Sequence, residues 1–393
     1  MRSHPLIAAA IALATSHASA APVPLGPGAT GWRDGGSGPV RGITIGPIEN
    51  ARHPGRGYGS NAYVRAVLEA SRMGATWVSL TPFGRVIDLQ PSGIDLEFEL
   101  DHRTNAANLR NAIVLAHQAG LKVMVVPHLW VESGGWRALI EPGDDDAWKR
   151  WALAYRTFAV SWARVAELGG AEMFSVGVEQ RSWVTTHHAP LYRETIAAVR
   201  QAFHGTLTYS ANWDDAGETA IFGDVDVIGI NAFYPLADKE GARLPELLKG
   251  GARVAAEVRT LAARWQKPVL FTEIGYTTRK DPALKPWEWP DGMKDVAVDE
   301  LAQAEAYAGL VAPLLDEPSF AGFFVWRVYA DPDDVSQEAE WGFSPRGKLS
   351  ELVMRDAFAT WWAADGPRLP GDAPARLGAE APALLPGPGV TGW

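Results

Sequence analysis

The sequence predicts an α/β protein, a (β/α)8 TIM barrel in a single domain, and three observations predict it. Short β-prone apolar runs alternate with longer segments whose apolar residues recur at helical spacing, the pattern of parallel β/α units. Eight such runs can be placed, and Lys122–Pro127 is apolar after its lysine, as a strand buried on both faces should be. Two runs, Met173–Glu179 and Val269–Glu273, end in a lone carboxylate. In a parallel barrel the loops at the carboxyl ends of the strands build the site, so strand-end acids are where chemistry is expected.

In chain order, residues 1–20 read as a secretory signal. Arg2 and His4 precede the small apolar stretch Leu6–Ala14, and Ala18-Ser19-Ala20 is an A-x-A cleavage site. The apolar stretch is too short for a membrane anchor, which needs about 20 such residues. The mature product is therefore expected to be secreted or periplasmic, cleaved after Ala20. Residues 21–40, rich in Pro and Gly, form an extended lead-in, and the barrel domain occupies 41–364.

Within it, Gly42–Gly46 is the first strand, and Asn61 caps a helix reaching about Met73. The second strand is Trp77–Thr81. A helix from about Thr104 carries Leu109, Ile113 and Ala116 on one face and is closed by Gly120. After the third strand, Lys122–Pro127, Asp144-Asp145-Asp146 reads as the cap and acidic first turn of an amphipathic helix ending at Leu168. The fourth strand ends at Glu179 and a helix spans about Pro190–Ala202. Strands Leu207–Ala211 and Val225–Asn231 follow, then a helix over Leu244–Trp265 and the seventh strand, ending at Glu273. Helix Asp299–Leu315 leads into the eighth strand, Ala321–Trp326, and Ser350–Trp362 is the last helix. The tail, 365–393, is rich in Pro, Ala and Gly and is expected to be disordered. In it Gly387–Trp393 nearly repeats Gly26–Trp32.

Composition narrows the function. With 393 residues and a net charge of −10, the chain is large enough for a barrel and unsuited to a polyanionic nucleic-acid partner. It has no cysteine, which excludes disulfides and thiolate catalysis. Tryptophan stands out at 17 residues, against 9 tyrosines and 13 phenylalanines. A flat indole suits the apolar face of a pyranose ring.

Two strand-end glutamates are the reagents of glycoside hydrolysis: one protonates the departing oxygen and the other meets the charge developing at the anomeric carbon. In retaining enzymes the two carboxyls stand about 5–5.5 Å apart, and one attacks directly. Strands four and seven face each other across a barrel mouth. The reading is Glu273 as nucleophile and Glu179 as acid/base, the latter needing a raised pKa.

Gly177-Val178-Glu179 and Phe271–Tyr276 resemble glycoside hydrolase family 113, of the clan A retaining barrels. So do Pro127–Val131 with Gly135-Trp136-Arg137, Leu207–Trp213, Asp226–Leu236, Pro286–Trp289 and Phe343–Lys348. The resemblance covers roughly residues 41–362 and implies endo-acting hydrolysis of β-1,4-mannan, with the acid/base at Glu179 and the nucleophile at Glu273. Two positions depart from the clan. Val178 stands where an asparagine usually bonds the sugar 2-hydroxyl. Phe233 stands where a tyrosine usually bonds the nucleophile, and the neighbouring Tyr234 is assigned that task.

Further sugar contacts are expected at the rim. His128 and Trp130 follow strand three, Trp136 lies in the loop behind them, and Asn212 and Trp213 follow strand five. Tyr276, Trp287 and Trp289 lie beyond strand seven, and Trp326 ends strand eight. No cofactor is expected, because no phosphate-cradling Gly-rich loop follows a strand. No metal is assigned either: His187-His188 has no acidic or histidine partner at a supporting helical spacing. The expected partner is a β-linked polysaccharide or oligosaccharide such as mannan or glucomannan, with no nucleic acid and no membrane, bound by a monomer. A barrel that only binds carbohydrate, or a transglycosylase, remains an alternative.

Overall fold

The computed structural model describes residues 39–47, 56–97, 100–288, 296–333 and 341–364, with side chains to residue 359 in the last segment. The signal and most of the lead-in, the tail, both Gly-Pro-Gly segments and Trp289 lie outside the described residues.

Eight described strands close into a parallel barrel: β1 (Val40–Gly46), β2 (Trp77–Leu80), β3 (Lys122–Val125), β4 (Met173–Val178), β5 (Thr206–Asn212), β6 (Val227–Asn231), β7 (Val269–Ile274) and β8 (Phe320–Tyr329). Each strand pairs with its neighbours in sequence, and β1 closes the ring by pairing with β8. The longer described helices are α1 (Asn61–Arg72), α2 (His102–Gln118), α3 (Asp145–Gly169), α4 (Ala189–Ala202), α5 (Leu244–Trp265), α6 (Glu300–Val311) and α7 (Leu349–Ala364), and a single helical turn, Arg181–Val184, follows β4. Between β5 and β6 the chain makes only a 3-10 turn, Phe222–Asp224. The fold is the predicted (β/α)8 barrel.

Short polar side chains start the helices. Asp101, Asp144 and Asp299 accept hydrogen bonds from the amides of Thr104, Ala147 and Ala302 at 3.1, 2.8 and 2.9 Å. At α1 the cap is Ser60, whose hydroxyl accepts from the Tyr63 amide at 3.3 Å, rather than Asn61. A cap needs extended backbone, which Ser60 has; Asn61 is already helical.

Alternation along the strands sorts the apolar residues into two layers. Trp77, Met124, Met173, Val178, Leu270 and Phe324 fill the barrel interior. Alternate residues such as Val123, Phe174 and Phe271 pack outward against the helices. At β4 the helices come close to the strand. Tyr155 of α3 and Tyr192 of α4 both donate to the Val176 carbonyl at 3.0 Å. A Cβ on Gly177 would lie 1.9 Å from the Tyr192 hydroxyl. The glycine lets two helices seize β4 just before Glu179.

One feature was not anticipated. Past Pro82 and Pro127 the chain forms a short parallel ribbon, Phe83–Val86 against His128–Val131, above the barrel mouth. Proline donates no ladder hydrogen bond, so β2 and β3 break there and the segments pair again beyond it. The His128 amide donates to the Pro82 carbonyl at 2.8 Å across the break.

Candidate active site

Glu179 and Glu273 emerge at the carboxyl ends of β4 and β7 and line one cleft of about 600 Å³. Both are nearly buried, at 8% and 6% exposure. Glu179 sits at φ +50°, in the left-handed region, where a non-glycine residue costs about 1–2 kcal/mol. Its neighbours hold it there: its amide donates to the Ser210 carbonyl, and the Gln180 amide donates to the Tyr209 hydroxyl, each at 2.8 Å.

Strand register assembles the polar floor. Asn212 pairs with Asn231 across β5–β6, and Asn231 pairs with Glu273 across β6–β7, so three polar strand ends lie in a row. The Asn231 amide nitrogen donates to Glu179 Oε1 at 3.1 Å. Its oxygen accepts from the Thr272 hydroxyl at 2.9 Å, which fixes the orientation of the amide.

The other oxygen of Glu179 is held from the loop after β3. The Trp136 indole donates to Oε2 at 3.0 Å, and Arg137 Nη1 lies 3.4 Å away. Behind Trp136, the Arg181 guanidinium covers the indole ring at 4.9 Å. Arg181 is itself paired with Asp214 and, at 3.0 Å, with Asp215. Burial pushes the Asp215 carboxyl up to about 6.

Glu273 has a different setting. Burial, with the Glu179 charge beside it, pushes its carboxyl well above the usual carboxylate range, while Arg137, Arg327 and the Asn231 amide oppose that rise. His128 Nε2 lies 3.2 Å from Glu273 Oε1. Burial and the charges of Arg137 and Arg327 hold the imidazole well below its ordinary pKa. The contact is therefore a hydrogen bond of a neutral ring, not an ion pair.

Aromatic residues wall the cleft. Trp326, Phe233 and Phe343 pack together, with Trp213 against them. Trp213 stacks on Trp287 with ring centroids 5.4 Å apart, and Trp287 is 46% exposed at the rim. The Trp326 ring lies between His128, at 5.7 Å, and the Arg327 guanidinium, at 4.5 Å.

Of the expected residues, Glu179, Glu273, Trp136, Asn212, Trp213, Trp287 and Trp326 all line this cleft, and His128 reaches it through Glu273. Three are placed elsewhere. Trp130, two residues beyond His128 on the ribbon, does not line the cleft and is 43% exposed. Tyr276 is fully buried and donates to the Tyr234 carbonyl at 3.0 Å. Tyr234 does not take up the nucleophile: just past the end of β6, Phe233 lines the cleft and Tyr234 packs against Trp213 and Phe271. Val178 packs in the barrel interior and does not line the cleft.

Asn231, Arg327, Asp214 and Phe343 were not singled out from the sequence. The signal for Asn231 was a polar residue closing an apolar strand, and for Arg327 a charge inside the fully buried run Phe320–Tyr329.

The model of glycoside hydrolase family 113 matches residues 55–348. Among solved structures, a family 113 β-mannanase from Alicyclobacillus acidocaldarius, in complex with ManMIm, is similar at 26% identity and a TM-score of 0.71. The match covers 82% of this chain and 98% of that one. A second family 113 β-1,4-mannanase matches at 22% identity and a TM-score of 0.69, over 82% of this chain and 99% of its own. A family 5 mannosidase from Rhizomucor miehei shares the fold at 13% identity and a TM-score of 0.60, over 84% and 94% of the two chains. No curated protein matches the chain.

Proposed function

We propose that this chain, which belongs to glycoside hydrolase family 113, is a secreted retaining β-mannanase that cuts β-1,4-linked mannan internally. The observation that carries the reading is a pair of strand-end glutamates in one aromatic-walled cleft, with the Asn231 amide donating to Glu179. Glu179 gives its proton to the departing glycosidic oxygen. Glu273 attacks the anomeric carbon, and the glycosyl–enzyme is then hydrolysed by a water that Glu179 deprotonates. Asn231, bonded to Glu179 at 3.1 Å and paired in register with Glu273, supports the close spacing that direct attack needs.

In the open cleft, burial raises the pKa of Glu273, whereas the reaction needs Glu273 ionised. Positive charge developing at the anomeric carbon beside Glu273 favours that ionised form. The leader at residues 1–20 supports export of the enzyme.

The test is incubation of the mature chain, Glu179→Ala and Glu273→Ala with mannan, glucomannan and cellulose. New reducing ends are counted, and proton NMR reports the anomer released first. Mannan cleavage with the β-anomer formed first, and a loss of at least about a thousandfold in each variant, is the expected result. A wild type that binds mannan and cuts nothing would favour the other reading, a binding barrel, to which the hydroxyl-free Phe233 at the cleft wall points.

A further inference from the structure

The histidine pair set aside in the sequence finds its partner in the fold. Asp145 opens α3, and His187-His188 occupies the turn before α4, so residues 42 positions apart (187 minus 145) meet at the top of the helical shell. One ligand atom from each of the three lies within 4.8 Å of the others. None of them lines the catalytic cleft.

We propose that Asp145, His187 and His188 form a site for one divalent transition-metal ion of the zinc class, separate from the catalytic cleft. Two imidazoles and a carboxylate are a donor set for zinc rather than for calcium or magnesium, which take oxygen ligands. Around zinc, bonds of about 2.0–2.2 Å put ligand atoms roughly 3.3–3.5 Å apart, so closure needs only small rotations. Those rotations fall on Asp145 and His187, which are exposed, while His188 is held.

The hold on His188 is extensive. Its ring stacks on the fully buried Trp148 at 4.3 Å and 22°. Its carbonyl accepts from the Trp183 indole at 3.0 Å, and its amide donates to the Thr186 hydroxyl at 3.3 Å. The His187 ring lies 3.9 Å from it. The positive ends of α3 and α4 meet here, which by itself disfavours a cation. Asp144 and Asp146 flank Asp145, and Glu141, which accepts from the Trp148 indole at 2.8 Å, adds a further negative charge beside His188. A bound ion would tie the loop after β3, which carries Trp136 and Arg137, to the segment after β4, which carries Arg181. It would act as a clamp on the scaffold of the site.

The experiment uses the untagged, chelator-treated mature chain titrated with ZnCl2 by calorimetry and followed by thermal unfolding, beside Asp145→Asn and His187→Ala. Both replaced side chains are exposed, so each variant should melt like the wild type without zinc. One ion per chain is expected, bound at least tenfold more weakly by each variant. At zinc a hundredfold above Kd, the wild-type Tm should rise by about 3–6 °C, with no comparable rise for MgCl2. Absence of stoichiometric zinc uptake by the wild type, or uptake unchanged in both variants, overturns the proposal.

Discussion

Replacing Asn231 tests the electrostatic logic of the site. Asn231→Ala removes the donor to Glu179 Oε1, at 3.1 Å, and the amide that opposes the rise of the Glu273 pKa. A hydrogen bond to a charged group is worth about 1.5–3 kcal/mol, so kcat/KM on a mannan oligosaccharide should fall by about 10–150-fold. The sign of the pH effect also follows. With the donor gone the neutral form of Glu273 is favoured further, and the acid limb of kcat/KM, where the nucleophile must ionise, moves to higher pH. The alanine also strands the buried Thr272 hydroxyl that donates to Asn231 at 2.9 Å, so a second variant separates packing from charge. Asn231→Asp keeps an acceptor for Thr272 but sets a third carboxyl oxygen against Glu179. It should be the less active of the two although it is nearly isosteric. Activity within threefold of wild type in both variants, with an unmoved acid limb, would refute the reasoning.

Trp213→Ala and Trp287→Ala each break the stacked pair at the rim. Aromatic contacts of this kind are worth about 0.5–1.5 kcal/mol, so KM for a long mannan should rise about 2–12-fold with kcat little changed, measured by steady-state kinetics. Asp215, lifted by burial from 3.8 to about 6, keeps its proton longer when folded than when unfolded. Its share of stability is thus lost as pH rises from about 4 to 6, by about 3 kcal/mol, and urea melts of Asp215→Asn across that window should show a flatter decline than wild type. Gly177→Ala forces a methyl against the Tyr192 and Tyr155 hydroxyls, 1.9 and 2.6 Å from its Cβ. It should destabilise the fold by about 3 kcal/mol or more, read as a lower urea midpoint.

The barrel was legible because its signals are local. Strands buried on both faces read as apolar runs, and the acid at the end of such a run marks the rim, as at Met173–Glu179 and Val269–Glu273. Tyr234 was misassigned because the chain past Asn231 leaves the regular ladder, and the neighbours of a side chain there depend on tertiary packing rather than on spacing. Trp130 failed in a related way. Its rim position was readable, but its distance from the cleft is set by a ribbon that forms only because Pro82 and Pro127 break two strands at the same level. The meeting of Asp145 with His187-His188 depends on how α3 packs beside α4, which no window of sequence contains.

Val178 and Phe233, the two departures from the clan pattern, fit together in this light. An asparagine before the acid/base would bring a polar group to the sugar 2-hydroxyl, and a tyrosine near the nucleophile would bring one to Glu273. Here Val178 fills the barrel interior and Phe233 builds the aromatic wall with Trp326 and Phe343, so neither supplies one. The polar work passes to one central residue and one loop. Asn231, between the two glutamates, acts on both, while Trp136 and Arg137 hold Glu179 from outside. Such a site depends on the loop after β3 being in place before substrate binds. The stack of Arg181 on Trp136, anchored by Asp214 and Asp215, provides that order. Weakening it at Arg181 should therefore cost activity through Glu179, although Arg181 is not itself in contact with either glutamate.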